Sequence, residues 1–148
     1  MLDATDIKIL NMLQEHGRTK RNVIAEAVGL SLPSLSERLR KLEERGVIEG
    51  YFARLNRKIF HYDIMAFILV VMDSSNNFSK LPDKVMTTPE ILECHSILGE
   101  GSHILKAVVK DTAALEQLLG QIQAWPGVTR TVTSFVLSTI KETTKINI

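Results

Sequence analysis

The 148 residues predict an α+β chain in two parts: a head of three short helices, then a sandwich of two helices on a four-stranded sheet. Three observations carry this. Between Thr19 and Gly46, two helical patterns are joined by Gly29-Leu30-Ser31. From Ile64 onward the apolar pattern reads strand, helix, strand, strand, helix, strand. The stretch Ile64 to Met72 is apolar at every position, too long for a loop and too short to cross a bilayer, which takes roughly twenty residues.

In the head, Asp3 is placed to cap a helix running to about Glu15. Asp6, three residues on, completes an acidic capping box, and Ile9, Leu10 and Leu13 form the apolar stripe. Thr19 is the next expected cap, for a helix that turns Ile24, Ala25 and Val28 inward and stops at Gly29. Ser31 caps a third helix, with Pro33 in the first turn, where an amide hydrogen would have no partner. At ~100° per residue, Leu35, Leu39 and Leu42 of this helix cluster within about 60° and face inward. Glu37 and Arg40 lie nearly opposite. Gly46 ends it, and Val47 to Ala53 reads as a strand or small hairpin. Three helices and such a strand make a winged helix-turn-helix.

Asn56 to His61 is polar and patternless. The expected division is therefore a DNA-binding domain over 1–55, a linker over 56–61 and a second domain over 62–148. In the second, strands are expected over Ile64–Met72, Ile91–Leu98, His103–Val109 and Val128–Ile140. Helical spacing links Phe78, Leu81 and Val85, and Asp111 caps a helix that turns Leu115, Leu118, Leu119 and Ile122 inward. That order is the ferredoxin-like βαββαβ sandwich, with both helices on one face of the sheet. The other face should be polar in a monomer. Yet Met65, Phe67, Leu69 and Val71 all point to it, so a partner subunit is expected there, through an oligomerisation module carried by each chain.

Composition narrows the chemistry. Residues 1–58 hold 11 Lys and Arg against 8 Asp and Glu, a net of +3, and the remainder nets −2, as suits a basic head on a neutral body. A single cysteine, Cys94, allows no internal disulfide and no cysteine-based zinc site. His16, His61, His95 and His103 show no metal-ligand spacing, Gly99-Glu100-Gly101 is too short for a nucleotide loop, and no nucleophile elbow or acidic pair is present. No enzyme, cofactor or metal is expected. Without an apolar leader the chain reads as cytoplasmic.

The third helix directs the expected partner, double-stranded DNA. Ser34, Ser36, Glu37 and Arg40 are placed to approach base edges. Arg18, Lys20, Arg21, Arg38, Lys41 and Arg54 are candidates for backbone phosphates, with Arg54 on the wing.

The ordered fragments L-D-A-T-D-I-K-I-L at 2–10, G-R-T at 17–19, V-G-L-S at 28–31 and S-E-R-L-R-K-L-E-E-R-G-V-I-E-G-Y at 36–51 continue into the second part. There they are E-I-L-E-C at 90–94, Gly99, Leu105-Lys106-Ala107-Val108, W-P-G-V at 125–128 and V-L-S-T-I-K at 136–141. As an ordered series they resemble the Lrp/AsnC, or feast/famine, transcriptional regulators of bacteria and archaea. The resemblance implies a sequence-specific regulator that pairs into homodimers and commonly assembles to octamers. It also implies modulation by an amino acid or related small effector near Gly99, Glu100, Gly101, Ser102 and His103. Family members usually read G-x-Φ-D-Φ at this turn, where Φ is a large apolar or aromatic residue; here Gly101 and Ser102 stand at the third and fourth positions. Ser102 supplies no charge to oppose an ammonium group, and Gly101 removes bulk that would otherwise narrow a pocket. The alternative reading is a low-specificity DNA-organising protein coupled to a metabolite sensor.

Overall fold

A computed structural model describes all residues 1–148. The chain divides into two compact units, one of residues 1–54 together with 141–148, the other of residues 55–140.

The first unit holds α1 (Ala4–Glu15), α2 (Arg21–Val28) and α3 (Leu32–Glu44). The Asp3–Asp6 capping box forms in full, each carboxylate taking the other residue's amide. Ser31 caps α3 by accepting from the Ser34 amide. Thr19 does not cap α2: its hydroxyl donates to the His16 carbonyl at 2.6 Å, and Lys20 occupies the cap position without a side-chain bond. Gly29 (φ 69°) supplies the left-handed residue that ends α2 and opens the turn. Ile9, Ile24, Ala25, Leu35 and Leu39 form the core of this unit, closed by Met12, Leu13, Val28, Leu30 and Ile48. The strand expected over Val47–Ala53 is not formed. A lone strand leaves its amides and carbonyls without a ladder partner, and this unit contains no second strand to provide one.

The second unit opens with a 3-10 turn over Arg57–Phe60, so the expected linker is ordered and belongs to this unit. It continues with β1 (Ile64–Met72), a 3-10 turn over Ser75–Lys80, α4 (Leu81–Met86), β2 (Ile91–Ser96), β3 (His103–Val109), α5 (Thr112–Gln123) and β4 (Val128–Phe135). The helix expected from Phe78 is thus split, because Pro82 cannot supply the amide that would continue a helix through Phe78. The sheet is antiparallel in the order β2-β3-β1-β4, the ferredoxin-like arrangement. Asp111 caps α5. The last strand ends at Phe135 rather than Ile140: its ladder with β1 runs to the Ala66–Phe135 pair and closes with one bond from the Val136 amide to the Met65 carbonyl at 2.9 Å. The final eight residues, expected in the second domain, group with the first unit instead.

One face of the sheet buries Ile64, Ala66, Ile68, Val70, Leu105, Ala107 and Val109 against Leu81, Leu118, Ile122 and Trp125. No helix of this unit covers the opposite face. Phe67 is 39% exposed there and Val132, its diagonal neighbour on β4, 44%. Leu69 and Val71 are half-buried, and Met65 is buried.

Candidate nucleic-acid interface and ligand turn

Burial of Leu35, Leu39 and Leu42 turns the opposite side of α3 outward. Pro33, Glu37, Arg40 and Glu44 follow one another along that side at spacings of three and four residues, which stack on a helix. Arg40 grips Glu37 at two points, Nε to Oε2 at 2.9 Å and Nη2 to Oε1 at 2.7 Å, and its Nη1 donates to Glu44. The hydrogen bonds from Arg40 hold the Glu37 carboxyl at about 2, well below its ordinary range. Glu37 is therefore ionised at any pH at which the protein works, and its link to Arg40 would fail only as the pH fell toward 2. Lys41 lies 3.5 Å from the same carboxylate and is largely exposed.

Ser34 is exposed at the start of the helix, where its Oγ accepts from Ser31 at 2.8 Å. Ser36 accepts from Arg21 Nη1 at 3.3 Å, which joins the head of α2 to the flank of α3. Arg18 and Lys20 are exposed beside Arg21. Eight of the ten expected contact residues are thus gathered around the outer surface of α3 and the start of α2, with Glu44 added to them.

Two of the expected phosphate contacts are engaged elsewhere. Arg38 Nη1 donates to Asp3 at 2.7 Å and to Asp6 at 2.8 Å, tying α3 to the capping box of α1. The bond to the Asp6 amide, followed by the contact with Arg38, lowers the Asp3 pKa. The helical angle was a signal of this: Arg38 falls only about 40° from Leu42 at ~100° per residue, on the inward shoulder of the helix. Arg54 donates to Glu142, at 2.6 Å to the carboxylate and 3.0 Å to the carbonyl. Further along the same tail, Lys145 pairs with Glu15 at 2.6 Å, and the Gln14 amide exchanges two bonds with the Ile146 backbone. Nothing in the local patterning of 141–148 announces this strap.

The turn after β2 is bound to β1. Ser102 donates twice to the Val70 carbonyl, from its amide at 2.9 Å and from its hydroxyl at 3.2 Å. His103 Nδ1 lies 2.9 Å from the same hydroxyl, and the His103 ring meets Phe78 edge-on at 4.9 Å. Burial lowers the His103 pKa. Gly99 (φ 117°) and Gly101 (φ 81°) take the left-handed backbone that this path requires. The expectation that Gly101 opens space is corrected. A Cβ there would sit 2.8 Å from Leu69 Cγ and 3.0 Å from the Val70 carbonyl, so the room is already filled from β1. Glu100 is exposed at the tip.

Against known proteins, residues 2–49 match the winged helix-turn-helix DNA-binding family and residues 65–146 the Lrp/AsnC ligand binding domain. The chain belongs to the Lrp/AsnC family. It is 37% identical to the leucine-responsive regulatory protein of Haemophilus influenzae over 96% of this chain and 87% of that one. It is 35% identical to the HTH-type transcriptional regulator FL11 of Pyrococcus horikoshii over 99% and 97%. Among solved structures it resembles a Neisseria meningitidis transcriptional regulator in complex with L-Met, with a TM-score of 0.93, 34% identity and coverage of 99% and 97%. A feast or famine regulatory protein of M. tuberculosis complexed with L-methionine gives 0.92 and 30%, covering 99% of each chain. This Lrp/AsnC chain is a DNA-binding transcriptional regulator with a helix-turn-helix head. None of its helices is long and apolar enough to cross a membrane.

The engagement of Arg38 separates a fastening role from a phosphate contact. Arg38→Ala should destabilise the head by about 1 kcal/mol in urea melts at pH 7, since the buried Asp6 loses its cationic partner. It should leave the salt dependence of DNA binding unchanged. A slope reduced by about one phosphate would return Arg38 to the DNA surface.

Proposed function

We propose that this Lrp/AsnC chain is a sequence-specific regulator that reads its operator with α3, assembles through the bare face of its sheet and takes a small effector at the 99–103 turn. The observation that carries the reading is the outer face of α3, where Glu37 and Arg40 stand opposite the buried leucines with Ser34 and Ser36 on the flanks. A helix of this kind enters the major groove and presents such side chains to base edges. Arg18, Lys20, Arg21 and Lys41 flank it as phosphate contacts, and Arg54 joins them when Glu142 releases it. Arg38 leaves this set because its guanidinium is held by Asp3 and Asp6. A regulator of this kind works beside the chromosome, in the cytoplasm. Footprinting on the DNA upstream of its own gene should show discrete, periodically spaced protection; uniform coverage would favour the DNA-organising alternative. Lys41→Ala should weaken operator and random duplex alike, flattening the salt dependence by about one phosphate.

Assembly is supported by Phe67, Leu69, Val71 and Met65 on the face that no helix of the second unit covers. A homodimer built there, which assembles further to an octamer, carries two heads that address half-sites about 34 Å apart, in successive turns of the duplex. Sedimentation at micromolar concentration should show a dimer or larger. Phe67→Asp would bury a carboxylate without a partner and should give smaller species or loss of folding. A folded monomer of the natural chain would exclude this assembly.

For the effector, the relatives solved with L-Met support an amino acid or related small molecule at Gly99, Glu100, Gly101, Ser102 and His103. Amides of a glycine turn can hold a carboxylate. An ammonium group finds no carboxylate at position 102, and the Ser102 hydroxyl is already bonded to Val70. Calorimetric titration with methionine, leucine and asparagine should therefore show weak binding, above the low-micromolar range. Tight binding of any of them would show that the missing aspartate is dispensable.

A further inference from the structure

The fork between Glu37 and Arg40 does more than neutralise two surface charges. A guanidinium has five N–H donors arranged on three edges. Glu37 takes the side edge, Nε and one hydrogen of Nη2. Glu44 takes one hydrogen of Nη1. What remains includes the second hydrogen of Nη2, on the end edge shared by Nη1 and Nη2. That end edge matches the N7 and O6 acceptors of guanine in the major groove, the commonest base-specific contact an arginine makes.

We infer that Glu37 is the positioning residue for Arg40, holding it by its side edge so that its end edge reads a guanine in each half-site. This rests on the reading of α3 as the helix in the major groove. Arginine loses considerable rotamer freedom when it is fixed on a base. A two-point grip from the same helix removes part of that freedom before DNA arrives, and it defines the plane of the guanidinium as one bond could not. Glu37 is ionised throughout the working range, so the grip is present in the free protein. Glu44 contributes differently: it binds a single hydrogen of Nη1 from the next turn of α3, so its contact can open while the Glu37 fork stays closed.

The arrangement has a signature that simple structural support would not produce. Glu37 is a negative charge on a surface that meets phosphates, so its neutral variant should bind random DNA as well as the natural chain or better. A positioning role requires the same variant to lose discrimination at one guanine.

Duplexes selected by the natural full-length chain from a randomised pool provide the probe. Each guanine is replaced in turn by 7-deazaguanine, which lacks the N7 acceptor. The natural chain should lose about tenfold at one guanine per half-site. Arg40→Ala should show no loss at that guanine. Glu37→Gln should shrink the loss to about threefold or less while random-duplex affinity holds or rises. Both residues are half-exposed, so each variant should fold, and thermal melts check this. If Glu37→Gln keeps the full loss at the guanine that Arg40→Ala abolishes, Arg40 reads unaided and the positioning role falls while the base-reading stands. If Glu37→Gln instead loses discrimination only at a cytosine, Glu37 reads that base itself and the inference is overturned. If Arg40→Ala retains every guanine preference, the base-reading role of Arg40 fails with it.

Discussion

Strand β1 carries apolar side chains on both faces, and that constraint governs the second unit. It lies inside the sheet, paired with β3 on one side and β4 on the other, so its backbone is satisfied without any partner chain. Its side chains are not. The row Ile64, Ala66, Ile68 and Val70 is sealed by α4 and α5. The row Met65, Phe67, Leu69 and Val71 has no helix above it, because both helices of a βαββαβ chain fall on the same face. At roughly 25 cal/mol per Å² of apolar surface, covering such a row is worth several kcal/mol to whatever covers it. Two charges face the row from the neighbouring strands, Lys106 opposite Phe67 and Arg130 opposite Val71, and Lys106 is paired with Glu93 within the chain. A polar border around an apolar centre is the composition of an interface more than of a solvated sheet.

The head is organised by a similar division on a single helix. Three leucines fix which side of α3 is buried, and Arg38 secures the same helix to the start of α1 through Asp3 and Asp6. The capping box of α1 thus acts twice, satisfying amides at its own helix end and anchoring α3 by charge. Exposed ion pairs contribute little individually. Here Asp6 is nearly buried, which reduces screening and gives the pair to Arg38 greater weight. The outer face is then free of structural duty, and its charges pair among themselves along the helix.

Local chemistry was legible in the sequence; pairing at a distance was less so. Asp3, Ser31 and Asp111 cap as their spacing indicates, because a cap is decided within three residues. β1 and β3 begin and end where their apolar runs do. The strand expected after α3 depends on a partner that no local pattern can supply, and the end of β4 depends on how far its pairing with β1 extends. The tail strap joins residues 130 and 132 positions apart through a few polar contacts, with no periodicity to reveal it. The fastening role of Arg38 is legible in its helical angle, close to Leu42, and not in its charge. Contact between Arg40 and both Glu37 and Glu44 follows from spacings of three and four.

The turn at 99–103 shows why a substitution is read best from what surrounds it. Serine at 102 could be viewed only as a lost carboxylate. In place, its amide and hydroxyl both donate to the Val70 carbonyl; an aspartate would keep the amide bond, but its ionised carboxylate could not donate the second. An aspartate would have to turn away from β1, toward any ligand; the serine turns toward the strand and fastens the turn to it. Gly101 completes the fastening. It lets the backbone lie against Leu69 so closely that any Cβ would force that side chain to move. Leu69 stands in the row of β1 left bare on the opposite face from the helices, so the floor of the turn and the uncovered apolar face share one side chain.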